Sequence, residues 1–201
     1  MGVISNGTTL LDGGSLDSGV ATGKLTLIST TTISSGTSAV SITSGINSTY
    51  EEYVFKLTDI HTSANAYLQV NFRDGSSAYD ANKITAMYYT MHKEDDSGND
   101  GLTFGVGNSL ELSTGIQRLT SGELHTDNDG CLAGYLCLYD PSDTTHVKHF
   151  IAQTQYMNNT PATEVSYISG FSLVSAAIDG IQFTVSSGTI DAGTIKLYGV
   201  A

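Results

Sequence analysis

Alternation with a period of two runs through most of this chain and restricts its fold more than any other feature. Near the C-terminus Ile181, Phe183 and Val185 fall on one face of a short segment. After a turn rich in Gly and Asp, Ile195, Leu197 and Tyr198 give a second segment a mainly apolar face with one edge aromatic. Stretches of the same kind recur at residues 24–32, 38–43, 52–58, 67–73, 83–91, 115–120, 131–139, 147–155, 165–172, 181–186 and 194–199, each bounded by Gly, Asn, Asp or Ser. Eleven such segments predict an all-β chain folded as an antiparallel two-sheet β-sandwich. No repeat of fixed period is present, which argues against a solenoid or propeller.

Composition supports the same class. Only 14% of residues are charged, against about 25% in ordinary soluble domains, and the Lys, Glu, Arg, Leu and Ala that long amphipathic helices need are scarce. Hydroxyls and amides must therefore cover the surface. The net charge is −12 with a sequence pI near 4.4, and the eight basic residues are scattered from Lys24 to Lys196. Phosphate recognition needs grouped Lys and Arg, so nucleic acid is not an expected partner. An anionic membrane would repel the chain.

A length of 201 residues suits one domain, expected at 24–201 and preceded by an N-terminal arm at 1–23. The arm is rich in Gly and Ser, with apolar knots at Val3-Ile4 and Leu10-Leu11. It cannot build a core of its own, so Val3, Ile4, Leu10 and Leu11 are read as docking residues for a neighbouring subunit, the alternative being a frayed terminus. The N-terminus lacks the basic region and apolar block of a secretory signal, and no run approaches the ~20 apolar residues of a membrane helix. Asn6 stands where a myristoylation site would carry Ser or Thr. Cys131 and Cys137 are six residues apart in an alternating segment. Their Cα atoms would lie about 20 Å apart in a strand, beyond the ~7 Å limit of a disulfide, so both are expected to be free core thiols.

Candidate chemistry is sparse, and no cofactor is expected. The loop Glu94-Asp-Asp-Ser-Gly-Asn-Asp-Gly101 has the oxygen density of a Ca²⁺ site. Counted from Asp96, however, the third and twelfth EF-hand positions are Gly98 and Gly107, so a solvated turn is expected and calcium is the alternative. The same holds for His125-Thr-Asp-Asn-Asp-Gly130. His146 and His149 have an odd separation, which sends them to opposite faces of a strand. Neither a Gly-x-Ser-x-Gly elbow nor a phosphate loop is present, and a hydrolase would have to assemble dispersed carboxylates such as Asp59, Asp74 and Glu111. The chain is expected not to be an enzyme. Tyrosine is the enriched aromatic, with 11 copies and no Trp. Tyr50, Tyr53, Tyr88 and Tyr89 are the candidates for subunit or glycan contact, since a Tyr ring buries area while its hydroxyl keeps a hydrogen bond.

Two stretches carry a family resemblance. Ser48-Thr-Tyr-Glu-Glu-Tyr-Val-Phe-Lys-Leu-Thr-Asp-Ile60 followed by Ala66-Tyr-Leu-Gln-Val-Asn-Phe-Arg73, and the closing Gly180-Ile-Gln-Phe and Gly193-Thr-Ile-Lys-Leu-Tyr-Gly199, resemble the small jelly-roll domains of tailed-bacteriophage virion proteins, particularly marine-phage appendage and decoration proteins. Residues 83–161 depart into a sequence of their own. The resemblance implies a jelly-roll body, a homotrimer, capsid or tail proteins as partners, host surface glycans as a further contact, assembly in the bacterial cytoplasm and residence in the virion. It brings no catalytic residues. The implied function is a head decoration, head-fibre or short appendage protein. The alternatives are a tail-fibre or receptor-binding component and a stand-alone carbohydrate-binding module. Because the strand count exceeds the eight of a minimal jelly roll, two or three strands are expected to belong to the arm or to added hairpins.

Overall fold

The computed structural model describes residues 25–97 and 101–201, together with the strand backbone at 3–5, 8–12 and 15–16. Strands β1 (Val3–Ser5), β2 (Thr8–Asp12) and β3 (Ser15–Leu16) form a small antiparallel sheet, and among the described residues they pair with no other strand. The body follows with β4 (Leu25–Ile33), β5 (Ala39–Ile42), β6 (Glu52–Thr62), β7 (Leu68–Arg73), β8 (Lys83–Lys93), β9 (Thr103–Phe104) and β10 (Gln117–Arg118). It closes with β11 (Leu132–Tyr139), β12 (Lys148–Asn158), β13 (Ala162–Ser172), β14 (Gly180–Val185) and β15 (Ile190–Val200). Each of the eleven segments read from the sequence contains a strand. Among the described residues no helix is long and apolar enough to cross a membrane.

Two antiparallel sheets make the body. The large one has the order β4-β15-β6-β11-β12-β13-β8-β9 and the small one β10-β7-β14-β5. Alternation sends Tyr53, Phe55, Leu57, Leu136, Leu138, Phe150, Ile195 and Leu197 of the large sheet inward, all buried. Leu68, Val70, Phe72, Val40, Ile42, Ile181 and Phe183 of the small sheet meet them. Phe55 packs on Phe183 with ring centroids 6.1 Å apart, and Phe72 packs edge-on to Phe150 at 5.0 Å. Each pair spans the two sheets, and burying one such ring contributes about 1.5–3 kcal/mol.

The chain closes the large sheet with its last strand, because β15 lies between β4 and β6 and pairs with both. One end of the β6–β15 pair is bulged. Asp59 adopts φ 51° and Gly193 φ 126°, and the register shifts there. A Cβ on Gly193 would sit 2.7 Å from the Ile60 side chain, so glycine is required both for its conformation and for this close approach. Gly199 has a purely steric reason, since the Tyr50 ring lies where its Cβ would be.

The small sheet covers only part of the large one. Over β12, β13 and β8 the inner residues include Thr85, Thr154, Tyr156, Asn158, Glu164 and Ser166, all buried, and the covering layer is the irregular segment 105–125. A loop has no ladder to satisfy its backbone, so these side chains do so. Thr85 Oγ1 accepts the Leu110 N–H at 2.8 Å, Thr154 Oγ1 donates to the Leu119 carbonyl, and Tyr156 Oη accepts the N–H groups of Ser121 and Gly122, each at 2.9 Å. Burial first, and then the nearby Glu164, push the Tyr156 hydroxyl pKa well up. Two lysines flank Ser172 at one end of this region. Lys83 Nζ donates to Asn71 Oδ1 at 2.5 Å and to the Ala81 carbonyl at 3.0 Å, while Lys148 Nζ donates to the Val174 carbonyl at 2.8 Å. Burial lowers both ammonium pKa values, that of Lys83 to about 8.

Candidate functional site

The outward face of the large sheet is the most distinctive surface of the body. Strand β13 turns Glu164, Ser166 and Ser172 inward beside the buried Ala162 and Ile168, and sets Val165, Tyr167 and Phe171 outward, so apolar residues stand on both of its faces. Tyr167 stacks on Tyr88 of β8, with centroids 4.8 Å apart and planes 14° from parallel. Across the register, Tyr198, Val54, Cys137 and Ile151 form one row over four adjacent strands. Lys56 Nζ stands 5.4 Å above the Tyr198 ring, a cation–π distance. Burial, aided by Glu52, pushes the Cys137 thiol up to about 11, so it acts here as an inert small apolar group.

The four tyrosines singled out from composition separate in space. Tyr88 faces out at the stacked pair. Tyr89 is the next residue in β8 and takes the opposite face. Tyr53 is fully buried, and its hydroxyl donates to the Asn47 carbonyl at 2.8 Å, so it is a core residue and meets no partner. Tyr50 packs edge-on to Tyr53 at 5.8 Å and covers Gly199, which accounts for its ring structurally. Sequence reasoning passed over Tyr135, Tyr167 and Tyr198. The pairing register sets Tyr167 across from Tyr88, Tyr135 between Lys56 and Gln153, and Tyr198 beside Val54.

At the upper end of this face the turn 125–131 separates two open cavities. One, of about 480 Å³, is lined by residues including Ala133, Gln155, Met157 and Thr163. The other, of about 560 Å³, is lined by Asp59, His61, Asp191 and Asn128 among others. Cys131 borders both. It precedes β11 and is only partly buried, so of the two thiols expected in the core Cys137 alone is buried; both are free. His61 Nδ1 lies 2.7 Å from Asp191 Oδ1, and its Nε2 lies 3.1 Å from the Asp127 carbonyl. Burial opposes the imidazolium charge, but these two contacts outweigh it and raise the pKa, and through them His61 ties the turn to β6 and β15.

Within that turn His125, Asp127 and Asp129 bring ligand-type atoms within 4.8 Å of one another, a set able to offer a divalent cation one nitrogen and two carboxylate oxygens. His125 Nδ1 already accepts the Asp127 N–H at 3.1 Å, and both carboxylates are exposed. The turn's own hydrogen bonds account for its shape. In the other acidic loop Asp95 Oδ1 accepts the Ser97 N–H and hydroxyl, which lowers the Asp95 pKa, while residues 98–100 lie outside the described residues.

The remaining candidates do not assemble. His146, which precedes β12, pairs with Asp143 at 2.7 Å, and His149 lies against Phe171 on β12. Asp59 sits near the end of β6 that leads into β7, whereas Asp74 follows the far end of β7. Glu111 lies in the covering segment. Of the arm residues, Ile4 is exposed, and the side chains of Val3, Leu10 and Leu11 lie outside the described residues. No family model matches this chain, and no curated protein or solved structure matches it either.

Proposed function

We propose that this protein is a non-enzymatic structural component of a tailed-phage virion: a head decoration, head-fibre or short appendage protein whose jelly-roll body is anchored by its N-terminal arm. The observation that carries the reading is the pairing pattern. β4 pairs with β15, β5 with β14, β6 with β11 and β7 with β10, all antiparallel. Such nested pairs are what one long hairpin rolled across two sheets would leave, and they support the jelly-roll reading. On this view β12, β13, β8 and β9 extend one sheet beyond the eight-stranded motif. The extra strands therefore widen the body, a role the arm does not need to supply.

The rest of the reading follows the resemblance of the segments at 48–73 and 180–199. The body forms a homotrimer, Val3, Ile4, Leu10 and Leu11 bury against a capsid or tail protein, and the protein resides in the virion after assembly in the bacterial cytoplasm. A stand-alone glycan-binding module, or a tail-fibre component that touches host glycans, is the second reading. The stacked Tyr88 and Tyr167 favour it as a platform for a sugar ring.

Nanogold labelling of a tagged copy on purified particles, imaged by electron microscopy, tests this. Label over the head is the expected result, and label at the tail would establish the fibre alternative. Replacing Val3, Ile4, Leu10 and Leu11 together with Ser should remove the label while leaving the body folded. Particles without label, in a protein that binds sugars as a monomer, would move the function to a glycan-binding module.

A further inference from the structure

We infer that the outward face of the eight-stranded sheet is the surface through which copies of this chain pack on one another. The inference builds on the self-association in the reading above and is independent of attachment to a particle. Its first support is strand β13, which is apolar on both sides: Ala162 and Ile168 are buried on its inner face, and Val165, Tyr167 and Phe171 stand on its outer face. A strand patterned this way is complete only when something apolar covers its outer side. The neighbouring strands continue the same surface, with Tyr135 36%, Ile151 40% and Tyr88 41% exposed.

Charge selects the occupant. The chain carries 20 acidic residues and a net charge of −12, so two copies repel one another over most of their surface. The eight strands of the large sheet contain only Glu52, Asp59, Glu164 and Asp191 as acids. Glu164 points inward, and Asp59 and Asp191 sit at the bulged end beside His61. The flat of the face is left with Glu52 opposed by Lys56 and Lys196, which are neighbours in the register. This is the part of the surface on which a second acidic copy can approach without repulsion, and the Glu52 of one copy can meet the lysines of another. Size agrees as well. Seven strands at ~4.8 Å spacing and about six residues at ~3.3 Å give a plane of roughly 30 by 20 Å before side-chain relief is counted. That is on the order of the ~800 Å² per partner of a stable interface.

Sedimentation of the full-length protein at micromolar concentration tests the inference, comparing wild type with the double variant Ile151→Glu/Tyr135→Glu and the control Leu112→Glu, which changes an exposed apolar residue of the covering segment. The expected result is one discrete wild-type oligomer, the same oligomer for the control, and a folded monomer for the double variant, with self-association weakened at least about 100-fold by loss of two central anchors. Nitration of the wild-type protein needs no substitution: modification of Tyr88 and Tyr135 should fall as concentration rises through the association range, while that of Tyr79 stays constant. A monomeric wild type, an oligomer that survives the double substitution, or concentration-independent nitration of Tyr88 and Tyr135 would each overturn the inference. Loss of particle label with the oligomer intact would count against the virion reading alone.

Discussion

The interior of this protein is built in two ways on one sheet. Under β5, β7 and β14 the large sheet meets another sheet, and the contact is aromatic and aliphatic, with Phe55 against Phe183 and Phe72 against Phe150. Over the far part of β12 and over β13 and β8 it meets the segment 105–125, and there Thr85, Thr154, Tyr156 and Glu164 point inward among Met87 and Ile168. The difference follows from backbone bookkeeping. A covering sheet satisfies its own N–H and C=O groups, so apolar side chains suffice beneath it. A covering loop does not, and each orphaned group must find a side chain.

The largest effect should come from the apolar half. Replacing Phe55 with Ala removes a ring packed between sheets and should cost about 3–5 kcal/mol, read by urea denaturation as a lower midpoint with an unchanged slope. Substitution in the polar half should cost less and act locally. Tyr156→Phe leaves the Gly122 N–H without its acceptor and the Ser121 N–H with Ser166 Oγ alone, a loss of about 1–3 kcal/mol. Hydrogen exchange should speed up at those two amides before the Phe55 region responds. If Tyr156→Phe unfolded the whole body as readily as Phe55→Ala, the two halves would not be energetically distinct.

The smallest effect is a pH dependence confined to the polar half. The Lys83 pKa is lowered to about 8 by burial, against the opposing attraction of Asp80, and returns towards its ordinary 10.5 on unfolding. Between these values the unfolded chain binds more protons than the folded one, so stability should rise with pH from about 8 to about 10.5 and fall as pH drops through 8. Lys83→Met should flatten this rise in denaturation measurements across that window, even though it removes the ammonium donor from the Ala81 carbonyl and from Asn71 Oδ1, which keeps the Phe72 N–H.

The strands were legible because period-two alternation survives almost everywhere. Their ends were less so. β6 runs on past Thr58 to Thr62 because the bulge at Asp59 absorbs a break in the pattern, and the segment at 115–120 contracts to Gln117–Arg118 because Gln117 spends its side-chain amide on the Asn108 and Arg118 carbonyls. Alternation also separates two faces without saying which is inside. In β13 Ile168 is buried inward while Val165 and Tyr167 of the outward set are only partly buried, a division the sequence pattern does not make. Composition similarly could not distinguish Tyr53, sealed against Asn47, from Tyr88, stacked in the open. Sequence distance hides the rest of the outward face, because Tyr198 and Val54 are neighbours only across the β15–β6 ladder.

The position of β15 has a consequence for how the chain is made. β4 and β6 do not touch; each is bonded to residues 190–200, which leave the ribosome after every other strand of the body. Likewise β5 and β7 flank β14. During vectorial synthesis both sheets therefore hold a gap one strand wide whose rims are open edges, able to capture the wrong strand from a neighbouring nascent chain. The pairs that fill those gaps also close the longest loops among the paired strands of the body, so folding should be slow.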